Sequence, residues 1–81
     1  MLVTNAIKKL SKYGAVEDSS SLVWLEKDGQ VVEVRRNGGD LSDMVASIKV
    51  RGSNDHSDSM IDYSSGVFCD NISQAIRIAG W

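Results

Sequence analysis

The chain has 81 residues, one cysteine, no proline and a formal net charge of −2. That length allows one domain, residues 1–81, whose core is a single layer of side chains. Such a domain buries only roughly 60% of the surface its unfolded chain exposes. An intrachain disulfide and a membrane span of about 20 apolar residues are excluded, and a deep walled pocket within one subunit is hard to build.

Small secreted domains usually lean on disulfides, so a lone cysteine points to a reducing, cytoplasmic setting. Lys8, Lys9 and Lys12 interrupt the first apolar stretch, which gives no signal-peptide pattern. Charge is unevenly placed. No Lys or Arg occurs from Ser53 to Ala75, where Asp55, Asp58, Asp62 and Asp70 fall, whereas Lys8, Lys9, Lys12, Arg35 and Arg36 sit in the first half.

Leu2, Val3, Ala6, Ile7 and Leu10 recur at helical spacing, with lysines opposite and Gly14 as a stop. This predicts a helix over 3–13. Two strand-like runs follow, Leu22 to Lys27 and Gln30 to Arg36, joined by Asp28-Gly29, a favoured two-residue hairpin turn. With Lys27 opposite Gln30, the apolar pairs Leu25–Val32 and Val23–Val34 share one face. The opposite face takes Glu26 with Val31, Trp24 with Glu33, and Leu22 with Arg35.

Asn37-Gly38-Gly39-Asp40 reads as a turn. Beyond it, Met44, Ala46, Ile48 and Val50 alternate with Val45, Ser47, Lys49 and Arg51, which predicts a third strand. Leu41, Met44, Val45 and Ile48 also fit helical spacing, so 41–48 stays open between strand and helix. Met60 to Tyr63 and Val67 to Cys69 are short and β-like, as one bulged strand or a small hairpin. Ile72, Ala75, Ile76 and Ala79 predict a closing helix, with Asn71 as cap, Gln74 completing a capping box, and Gly80 ending it. The fold class is therefore α+β, two-layer: a helix, an antiparallel sheet of three to four strands, and a helix.

Four groups of residues invite a functional reading. The stretch around Asp55, Asp58 and Asp62, with His56, offers oxygen ligands to a hard cation. It lacks the glycine and the bidentate glutamate of an EF-hand loop, so a solvated loop explains it better, and no metal or other cofactor is assigned. Cys69 with His56 would need an orienting group and an oxyanion site, and Cys69 reads as a small buried apolar residue. No enzyme is expected. The order helix–strands–helix matches the double-stranded-RNA-binding domain, but Asp70 and Asn71 stand where that fold places its basic grip. Nucleic acid, through Lys8, Lys9 and Lys12 or through Arg35, Arg36, Lys49 and Arg51, is the second choice of partner. The fourth group, Trp24, Leu22 and Arg35 on the outer sheet face, has the composition of an interaction hot spot, for a protein partner or a homodimer.

The C-terminal third carries a resemblance. His56 to Tyr63, then Gly66-Val67-Phe68, Asp70-Asn71-Ile72 and Gln74-Ala75-Ile76, resembles the large polyvalent protein-associated domains of phage and mobile-element proteins. The resemblance implies a phage or plasmid origin and action inside a bacterial host. It makes a host protein or complex the expected partner, as for anti-CRISPR and other anti-defence inhibitors. Contacts would come from Trp24, Leu22 and Arg35 on the sheet, or from Asp55, Asp58 and Asp62 on the loop.

Overall fold

The computed structural model describes residues 1–38, 42–53 and 66–81. In chain order they form α1 (Val3–Leu10), β1 (Glu17–Asp18), β2 (Leu22–Lys27), β3 (Gln30–Asn37), β4 (Met44–Gly52), β5 (Val67–Cys69) and α2 (Ile72–Ala79). The strands make one antiparallel sheet in the order β1-β2-β3-β4-β5. Both helices pack on one side of it around Val3, Ala6, Leu10, Val23, Leu25, Val32, Val34, Ile48, Val50, Ile72 and Ala75. The α+β class is as expected, with five strands in place of three or four. The additional strand is β1, whose two residues are exposed acids without any alternation to betray them.

The β2–β3 hairpin has the expected register, with Leu25 opposite Val32 and Val23 opposite Val34. Asp28 and Gly29 both hold positive φ, 52° and 80°, the conformation that lets a two-residue turn follow the strand twist.

Residues 44–48 are strand, and the sheet explains why they also read as helix. Arg35 pairs with Ser47 and Arg36 with Val45, so Ala46 is an extra residue in β4, a β-bulge. The bulge shifts the side-chain phase by one. Val45 packs against the core on one side of it, and Ile48 and Val50 are buried on the other. Apolar residues at 45 and 48 then fall three apart, as on a helix. Met44 and Ala46, which the alternation groups with Ile48, are exposed for the same reason.

Helix α1 ends at Leu10, short of the expected Tyr13; residues 11–13 form a turn, with Ser11 donating its N–H and its hydroxyl to the Ile7 carbonyl. Leu2 leaves the apolar face to bridge Met44. Leu2 cannot cap α1, and the distant Asp43 does so instead. Its Oδ1 accepts from the Thr4 N–H at 2.9 Å and from the Thr4 hydroxyl at 2.7 Å, while its carbonyl accepts from Val3 N–H. In α2, Asn71 Oδ1 accepts from Gln74 N–H, as expected. Gln74 reaches one residue further back than in a standard capping box, accepting from Asp70 N–H at 2.7 Å. Gly80 ends α2 at φ 79°, and the Trp81 indole donates to the Lys27 carbonyl beside Tyr13.

The Thr4 hydroxyl and N–H hold the Asp43 carboxyl below its usual range. A depressed folded-state pKa adds stability above the unfolded pKa, which is lost as pH falls through the folded value. Asp43→Asn is expected to flatten the acid limb of a plot of Tm against pH and to lower Tm at neutral pH. A limb with unchanged slope would show that this cap does not contribute.

Candidate protein-binding face

Residues alternate sides along each strand, so the side opposite the helices receives the neighbours of the core residues. One cross-strand row runs over all five strands: Glu17, Trp24, Glu33, Lys49 and Phe68. Leu22, Arg35 and Ser47 form the row on one flank. Glu26, Val31 and Arg51 form the row on the other. The expected juxtaposition of Leu22, Trp24 and Arg35 is therefore present, with Leu22 directly opposite Arg35 and Trp24 one row away.

The centre of this face is sealed. Glu33 is only 6% exposed and Val31 1%. Arg51 stands opposite Val31, and its Nε donates to Glu33 Oε1 at 2.8 Å, so the buried carboxylate is neutralised where it sits. Around this centre Leu22, Trp24, Ser47 and Lys49 are half-buried, and Glu17, Glu26 and Arg35 are exposed. Phe68 is 65% exposed, the most open of the large apolar side chains on the described residues. Lys49 Nζ lies 5.9 Å from its ring centroid, within cation–π reach. Gly66 brings β5 this close. Its φ is +104°, and a Cβ there would come within 2.6 Å of Lys49 Cε and of the Val50 carbonyl oxygen.

Apart from Glu33 on β3, which is paired with Arg51, the charges of the face are sorted by strand. Glu17 and Glu26 belong to β1 and β2; Arg35, Lys49 and Arg51 belong to β3 and β4. Lys49, Phe68 and the Glu33–Arg51 pair were not singled out as one site from sequence, because only the β3–β4 and β4–β5 registers bring them together.

The other candidates separate. Arg36 faces the helix side, where it pairs with Asp18 Oδ1 at 2.6 Å and donates to the Ser42 carbonyl. The strand arginines and Lys49 therefore do not form one basic strip. Lys9 and Lys12 line a shallow cleft of about 180 Å³ between the helices, with Tyr13, Ser73 and Ile76. Cys69 pairs with Ile48 on the core side. Burial, and then the neighbouring Asp70, push its thiol pKa up, the opposite of what a nucleophile needs. Asp55, His56, Asp58 and Asp62 lie outside the described residues, as does the β-like Met60 to Tyr63. Among the described residues no group of His, Cys, Asp or Glu is arranged to hold a metal ion. No helix is long and apolar enough to cross a membrane. Comparison of the chain with family models, with curated proteins and with solved structures gives no match.

Proposed function

We propose that this chain is a non-enzymatic protein-binding module and that its contact surface is the outer sheet face around Trp24. One observation carries the reading: a sheet side away from both helices bears a 65%-exposed phenylalanine and a half-buried tryptophan in one row. Antiparallel sheets in monomers normally turn a polar face to water, and aromatic residues with arginine are enriched where proteins meet. The face suits protein better than nucleic acid. Among the described residues its acids Glu17, Glu26 and Glu33 match its bases Arg35, Lys49 and Arg51 in number, so these give it no excess positive charge for phosphates. The narrower reading, a phage-encoded inhibitor of a bacterial defence complex, rests on the resemblance of the C-terminal third.

Capture from a nuclease-treated bacterial lysate supplemented with an isotope-labelled, untagged copy of the chain tests the reading. The tagged wild type is expected to retain a protein, either a host component or the labelled copy. Trp24→Ala is expected to weaken that retention by about 2 kcal/mol or more, roughly thirtyfold, while its circular dichroism stays native. Retention of neither overturns the reading, and an unfolded Trp24→Ala would mean that the ring is structural.

A further inference from the structure

We propose that the occupant of the outer sheet face is a second copy of this chain, packed sheet to sheet about a two-fold axis that runs along β3. This inference rests on the protein-binding reading and names its partner.

A two-fold contact is made by the same patch on both subunits, so the patch must complement itself. This face does. An axis along the middle strand of a five-strand sheet sets β2 over the partner's β4 and β1 over the partner's β5. Acidic β2 then lies on basic β4. Glu26 falls over the partner subunit's Arg51, within reach of the partner's Lys49, and Trp24 falls over the partner's Lys49, a cation facing an aromatic ring. The exposed Phe68 is covered by β1 of the partner. Equal numbers of acids and bases also let two copies approach without net repulsion at the face.

The sealed centre agrees with this arrangement. On the axis Glu33 meets its own copy, and each Glu33 is already neutralised by its own Arg51. Arg35 also meets its own copy, in the end row beside the bulge, where its exposed guanidinium can turn to water. At about 4.8 Å per strand the sheet is only about 24 Å wide. The interface therefore belongs to the small class, and the dimer is expected to dissociate on dilution.

Sedimentation equilibrium over a wide concentration range tests the proposal. The wild type is expected to show a reversible monomer–dimer equilibrium. Glu26→Lys and Lys49→Glu, both changes at solvent-accessible side chains outside the core, are each expected to weaken it at least about tenfold, because each brings like charges next to one another twice, over Arg51 in the first case and beside Glu26 in the second. An equimolar mixture of the two variants is expected to recover part of the dimer as a heterodimer, since one of its two symmetry-related contacts then keeps Glu26 over Arg51 and beside Lys49, and the other brings the two reversed charges together. Dimerisation indifferent to both reversals, or a mixture without recovery, overturns the proposal. A wild type that stays monomeric overturns it too. If that monomer still retains a lysate protein through Trp24, the protein-binding reading stands and only the second copy falls. If it retains nothing, both fall.

Discussion

Leu10→Ala is expected to leave the chain close to unfolded at room temperature. Leu10 is fully buried among the side chains that join α1 to the sheet. Truncating a buried leucine removes its transfer free energy and leaves a cavity, together about 2–5 kcal/mol. A domain of this length has about 4–12 kcal/mol in total, at about 0.05–0.15 kcal/mol per residue. The loss therefore takes a large share of the stability, and among the described residues no second core exists to hold the fold. Urea titration read by circular dichroism should show a midpoint moved far down with the slope retained. A midpoint within experimental scatter of the wild type would mean that α1 is not part of the cooperative unit.

The second large effect is expected at the Glu33–Arg51 pair. The side chains are 7% and 15% exposed, and the bond between them is 2.8 Å. Arg51→Ala leaves a carboxylate buried without its partner, at a cost of about 3–5 kcal/mol. Replacing both together, Glu33→Leu with Arg51→Met, removes the uncompensated charge and is expected to recover most of that loss or to exceed the wild type. The double-mutant cycle separates this from packing. If the double variant is as unstable as the sum of the singles, the two residues act independently and the ion pair is not what holds the centre of the outer face. The pair can be replaced without loss of stability and still matter for binding, because it keeps the centre of the face neutral.

How much of this was legible in the sequence depends on the range of the signal. The β2–β3 hairpin was readable to the residue, because a two-residue turn fixes register and alternation fixes the face. Helix α2 was readable from Asn71 and Gly80, since caps are local chemistry. What needs a distant partner was not readable. The cap of α1 comes from Asp43, far along the chain. Strand β1 exists because β2 has an edge to pair, not because Glu17 and Asp18 favour a strand. The bulge at Ala46 breaks the alternation read over 44–51, so that Val45 and not Met44 shares the core side with Ile48 and Val50. The same one-residue shift set which residues stand opposite Arg35 and Arg36. Trp24, Leu22 and Arg35 were recognisable as a cluster from the hairpin alone. Lys49 and Phe68 joined them only through β4 and β5.

The order of the strands has a consequence for how the chain folds. Each strand pairs with the next one in sequence, so the sheet can grow by adding hairpins, each closing a short stretch of chain at little entropic cost. The two helices that cover it come from opposite ends of the described chain and meet only on the same side of the finished sheet. Mutational analysis of the folding transition state should therefore find Val23 and Val32 already engaged and Ile72 not yet. The reverse ranking would place nucleation in the helices. Until both ends close, the meander presents Val23, Val34, Ile48 and Val50 to solvent together, and the speed with which the terminal segments return sets how long that apolar sheet is open to other chains.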